Sequence, residues 1–67
     1  MSVAKVTEIS ACSPDGFDAA VREGISRASK TLDNIKGAWI NETKVECANG
    51  EVTNFCVNMK VTFVLKD

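Results

Sequence analysis

Residues 55–65 read Phe55-Cys56-Val57-Asn58-Met59-Lys60-Val61-Thr62-Phe63-Val64-Leu65. Phe55, Val57, Met59, Val61, Phe63 and Leu65 alternate with Cys56, Asn58, Lys60, Thr62 and Val64. A period of two is the pattern of a β-strand with one buried and one wetter face. That decides the fold, because a half-buried strand needs neighbours beside it and a layer above it.

Working back along the chain, Ala48-Asn49-Gly50-Glu51 is a hairpin turn signal. Before it, Ala38 and Ile40 point inward at even positions, whereas Val45 and Cys47 want the inside at odd ones. Such a parity switch within one strand marks a β-bulge, expected near Glu42 and Thr43. Farther back, apolar or small residues recur at Phe17, Ala20, Val21, Gly24, Ile25, Ala28, Thr31, Leu32 and Ile35. This spacing predicts one amphipathic helix, opened by Ser13-Pro14-Asp15 and closed by Asn34 and Gly37. Gly24 on its apolar stripe implies close approach of a sheet backbone. Val3 to Ile9 reads as a shorter first strand.

The order is thus β-α-β-β in a single domain, residues 1–67, of the α+β class. A crossover helix makes strands one and two parallel. The hairpin then returns strand three between them, giving a three-stranded sheet of order 2-3-1. One helix covers one sheet face. The other face is left open and carries Trp39.

Sixty-seven residues form a small core. A chain of this size buries only about 60% of its unfolded surface, so it needs disulfides, a metal or partners. The three cysteines, Cys12, Cys47 and Cys56, are odd in number and form no C-x-x-C pair. With no signal-peptide pattern ahead of them, they are expected to be reduced apolar fillers in a cytoplasmic protein. Zinc bound by four Cys or His ligands is not expected, since the chain has no histidine. A net charge of −1 without a polybasic run argues against nucleic acid. No apolar run is long enough to span a bilayer. Self-association is the remaining source of stability.

"SPDGFDAAVREGISRASKTLDNI" at 13–35, the bulged hairpin around "ANG", and "MKVTFVL" at 59–65 together resemble the dodecins. The similarity runs nearly the length of the chain, without a gap from Ser13 to Leu65, and "ASKTLDN" is its most specific part. The resemblance implies a small β-α-β-β protein that assembles into a hollow homododecamer and holds flavins in pairs between subunits. Flavin-binding members stack the ring on a tryptophan at the start of strand two and bond its edge through a glutamine on strand three. Those positions are Gly37 and Cys56 here, so both signature side chains are absent. Two residues further on stand Trp39 and Asn58, an aromatic and an amide on the same wet face. Lys44 falls where some bacterial members have arginine, and Glu42 where relatives have an acidic residue in the bulge.

The bulge sets Ile40 opposite Met59, Trp39 opposite Lys60 and Lys44 opposite Cys56, with Asn58 diagonal to Trp39. Two roles stand open for Trp39: an interface residue clamped by Lys60, or a platform for a flat ligand. Lys44 is either one half of a solvated or intersubunit ion pair or a cation beside a flavin phosphate. The first functional reading is a flavin storage protein taking riboflavin or FMN, with Trp39 as platform and Asn58 at the ring edge. The alternative is an assembly that has lost flavin and has a structural role or another ligand such as coenzyme A. No catalytic residue is expected: without histidine a general base near neutral pH would need a strongly shifted Glu or Lys, and no motif points to one.

Overall fold

The elements run β1 (Ala4–Ser13), α1 (Phe17–Ala28), β2 (Ile35–Ala48) and β3 (Glu51–Val64). The structure, a computed structural model, describes residues 3–65. β3 lies in the middle of a three-stranded sheet of order β1-β3-β2, antiparallel to both neighbours. This is the β-α-β-β arrangement expected from the order of the strand, helix and hairpin signals along the chain.

The central strand supplies the core. Val57, Met59 and Val61 are fully buried beneath Ala20 of the helix, with Ile9, Ala11, Val21, Ile25 and Ile35 packed around them. Burying each such aliphatic side chain stabilises the fold by about 1.5–3 kcal/mol. At Gly24 the approach is made by side chains rather than by sheet backbone. An added Cβ would lie 2.8 Å from Met59 Cε and 2.9 Å from Ala11 Cβ. Helix and sheet therefore meet at a distance that only glycine allows.

The helix is shorter at its C-terminal end than the periodicity suggests. It stops at Ala28, and Thr31, Leu32 and Ile35 lie outside it. Ser29 Oγ donates to the Ser26 carbonyl at 2.7 Å, and Thr31 Oγ1 to the Ala28 carbonyl at 3.3 Å. These local side-chain bonds compete with continuation of the helix. Asn34 then adopts φ 60 and its carbonyl accepts from Val64 N–H, turning the chain into β2. Gly37 is a strand residue, not a helix terminator. At the other end Gly16, at φ 122, precedes the first turn without a side-chain cap. Ser13 acts one step earlier: its Oγ accepts from Asp15 N–H and donates to Glu23 Oε2, both at 3.1 Å. The bond to Glu23 ties the end of β1 to the helix.

The first strand is longer than expected, reaching Ser13 rather than Ile9. The β2–β3 hairpin closes on Asn49 and Gly50, both at positive φ, as a two-residue turn between right-twisted strands requires. Its register breaks at Lys36 and Asn41 in β2 and at Thr53 in β3, each skipped by the partner strand. The parity switch is thus made at Asn41, one residue before the expected place. Thr53 compensates locally by donating its hydroxyl to the Glu46 carbonyl at 3.1 Å.

A strand the length of β2 or β3 spans about 46 Å, and a helix of twelve residues about 18 Å. One helix cannot cover such a hairpin, and α1 packs mainly on β1 and β3. Ile40 and Val45, on the helix side of β2, are consequently half exposed or nearly so.

The cysteines correct the sequence-based expectation. Cys12 and Cys56 form a disulfide, and Cys47 is free and exposed. The two are far apart in sequence, but the antiparallel β1–β3 register sets them directly opposite each other. Closing β1 at Ile9 hides this pairing. The disulfide is one of the supports that a chain of this size needs, and the cytoplasmic expectation loses the reduced thiols it rested on for this pair. Among the described residues, no helix is long and apolar enough to cross a membrane.

Candidate functional site on the open sheet face

The face of the sheet away from α1 is built by alternation. β1 contributes Val6, Glu8, Ser10 and Cys12, the residues paired with Thr62, Lys60, Asn58 and Cys56 of β3. β2 contributes Gly37 and Trp39 before the Asn41 bulge and Glu42, Lys44 and Glu46 after it. Without the bulge, Glu42, Lys44 and Glu46 would face the helix. The bulge is what keeps Trp39 and Lys44 on one surface.

All five candidate positions therefore share this face. Trp39 lies opposite Lys60, and Lys44 opposite Cys56, as the sequence register requires. Gly37 pairs with Thr62 at the end beyond Trp39. Trp39 is 63% exposed, the most open large apolar side chain among the described residues. No cation–π contact joins it to Lys60; the one aromatic contact among the described residues is between Phe17 and Phe55, edge to face at 5.2 Å. The indole lies open.

The five do not form one pocket. A concavity of about 360 Å³ occupies the centre of the face and includes Asn58, Lys44 and Cys56, with the carboxylates of Glu8, Glu42 and Glu46 around them. Trp39 and Gly37 lie outside it. The polar centre and the aromatic end are adjacent but separate.

Asn58 is held from both sides. Its Oδ1 accepts from Asn41 Nδ2 at 2.9 Å, and its Nδ2 donates to Ser10 Oγ at 3.0 Å. One N–H and one lone pair remain for anything bound above it. Glu46 is held similarly, with Oε1 accepting from Asn54 Nδ2 at 3.1 Å. The Asn54 Oδ1 atom is buried without a partner at the place where β1 stops covering β3. Cys56 is buried and Cys12 exposed, so the disulfide floors the concavity from its β1 side.

Sequence reasoning missed Cys12, Ser10, Asn41 and Glu46. The even positions of β1 carry the first two, and extending the strand to Ser13 brings them onto the open face. Asn41 is visible only once the bulge is placed to the residue.

Three comparisons bear on the chain. The Dodecin family model matches residues 3–66. Among solved structures, a dodecin from Streptomyces davaonensis superposes with a TM-score of 0.94 at 38% identity, covering 98% of this chain and 97% of that one. A dodecin from Streptomyces coelicolor gives 0.93 at 33% identity, over 98% and 94% of the two chains. A calcium-chelating immunodominant antigen, the calcium dodecin of Mycobacterium tuberculosis, gives 0.83 at 27% identity, over 97% and 93%. A search of curated protein sequences gives no match.

Proposed function

The chain belongs to the dodecin family, and from that premise we infer that it is a small-ligand storage protein, not an enzyme, that binds flavin on its open sheet face within a homododecamer. One observation carries the reading: Trp39 presents an indole that is 63% exposed on a face that no element among the described residues covers. A flat apolar surface of this kind favours a stacked planar ring, and sister subunits closing over it would remove both from water. The uncovered β2, with Ile40 and Val45 exposed, supports self-association for the same reason.

In this arrangement Trp39 binds the ring face and excludes water from it. Asn58, fixed by Asn41 and Ser10, offers its remaining N–H and lone pair toward the ring edge. Lys60, across from Trp39, and Lys44, across from Cys56, supply positive charge for a phosphate if FMN rather than riboflavin is held. Gly37 and Cys56 bring neither the tryptophan nor the glutamine that flavin-binding relatives use at those positions. Bound between aromatics, a flavin has its excited state quenched by fast electron exchange.

The experiment is a titration of riboflavin, and separately of FMN, followed by flavin fluorescence. Emission should fall at micromolar protein, and Trp39→Ala should abolish the fall while leaving the oligomeric mass unchanged. Loss of assembly in that variant would assign the indole to the subunit interface instead. A second reading is favoured by the disulfide: Cys56 is bonded to Cys12 and offers no strong hydrogen bond to a ring edge. On that reading the assembly persists without flavin and serves a structural role or another ligand such as coenzyme A. Emission that stays constant with intact oligomers would select it.

A further inference from the structure

The geometry points to a zinc site that forms when the Cys12–Cys56 disulfide is reduced, with the two thiolates and the Glu46 carboxylate as ligands and water in the fourth position. Cys12 Sγ, Cys56 Sγ and a Glu46 carboxylate oxygen all lie within 4.8 Å of one another. Each ligand comes from a different strand, Cys12 from β1, Cys56 from β3 and Glu46 from β2, so the sheet itself holds them together. Around a tetrahedral zinc, with Zn–S near 2.3 Å and Zn–O near 2.0–2.2 Å, ligand atoms sit roughly 3.5–3.8 Å apart. Once the sulfurs are no longer bonded, rotation about their Cα–Cβ bonds opens that spacing without moving the backbone.

The ligand set selects the ion. Two thiolates and a carboxylate suit zinc, whereas calcium and magnesium require oxygen ligands in greater number. Asn54 Nδ2 donates to Glu46 Oε1 and so restrains the carboxylate beside the two sulfurs. Thr53 fixes the Glu46 backbone through its carbonyl. Three anionic ligands around a divalent ion leave one negative charge in excess, and Lys44, directly opposite Cys56, stands where it balances that charge. Counting only cysteine and histidine along the sequence misses this site, because its third donor is a glutamate from the strand across the sheet.

The redox step needs a reductant, here a trialkylphosphine. Phosphorus takes the oxygen of one water molecule to become the phosphine oxide, the S–S bond breaks, and the two water hydrogens end on Cys12 Sγ and Cys56 Sγ. Zinc binding then displaces those two thiol protons to solvent.

The test uses the full-length protein with Cys47→Ser throughout, so that the exposed free thiol contributes nothing. Oxidised and phosphine-reduced samples are titrated with Zn²⁺ against a chromophoric chelator, and with Co²⁺ to read the thiolate-to-metal charge-transfer band. Reduced protein should take one zinc per chain and show the band, and oxidised protein neither. Glu46→Gln should weaken zinc affinity by about tenfold or more while keeping the band, and Cys12→Ser should remove it. Glu46 is exposed, so its substitution leaves the fold intact if Cys12→Ser does not. Equal zinc uptake by oxidised and reduced protein, or competition by Ca²⁺ at comparable concentration, would overturn the site. So would a reduced protein with no charge-transfer band. None of these readouts depends on flavin.

Discussion

Asn41 Nδ2 donates to Asn58 Oδ1 at 2.9 Å, and Asn41 is the residue that β3 skips in its pairing with β2. The extra residue of the bulge is thus used to lock an amide on the open face. The other side of that amide is taken by Ser10, so Asn58 joins all three strands. Asn58→Ala loses both bonds. At roughly 0.5–1.5 kcal/mol each, with exposure keeping them toward the lower end, the expected cost is about 1–2 kcal/mol. A urea midpoint measured without ligand checks this. No shift would mean that water replaces both bonds at no cost, and that Asn58 is free to turn toward a ligand.

Reduction of the Cys12–Cys56 disulfide should destabilise the protein by roughly 2–4 kcal/mol, because the bond closes a long loop spanning α1, β2 and the start of β3. The effect should appear as a lower denaturant midpoint in reductant, and Cys12→Ser should match the reduced protein rather than add to it. A Cys12→Ser variant that loses further stability on reduction would show that another bond carries the effect.

How much of this the sequence discloses depends on the range of each interaction. The alternation of residues 55–65 and the helical spacing from Phe17 to Ala28 are local, and both elements are legible. The Trp39–Lys60 and Lys44–Cys56 pairs come out the same from the sequence register and from the structure, although between the Asn49-Gly50 turn and Trp39 the structure skips Thr53 in β3 as well as Asn41 in β2. The helix end is not legible, because Ser29 and Thr31 favour their own backbone bonds over an apolar stripe that continues to Ile35. The Cys12–Cys56 bond is hidden for a different reason. It depends on the β1–β3 register, which no turn connects and which follows only from the finished sheet. Glu46 joins the cysteines by the same non-local route.

Gly24→Ala separates two opposing effects. Alanine favours the helix by about 1 kcal/mol over glycine. Its Cβ, however, would sit 2.9 Å from Ala11 Cβ, which cannot swing aside, and 2.8 Å from Met59 Cε, which can. Overpacking of a tight contact costs typically 1–3 kcal/mol. The repulsion should win, giving a net loss of about 1 kcal/mol in a thermal or denaturant melt. A stabilised variant would mean that helix and sheet separate cheaply, and would leave Gly24 without a packing role.

Gly37→Trp tests whether the open face is a ligand platform. An added Cβ at Gly37 meets nothing within 4 Å, and its φ lies outside the left-handed region, so the backbone accepts a side chain there. The new indole would stand on the same face as Trp39, about 6.6 Å along the strand. A second aromatic contact adds roughly 0.5–1.5 kcal/mol, which converts to about a twofold to twelvefold gain in riboflavin affinity at 1.4 kcal/mol per decade. Fluorescence titration of the variant beside the unaltered protein measures it, with oligomeric mass followed in parallel. If affinity stays level while the assembly is intact, the flavin is not stacking at this end of β2, and Trp39 belongs to the contact between subunits. If binding improves and Trp39→Ala in the same background cancels the gain, the two indoles act on one ring.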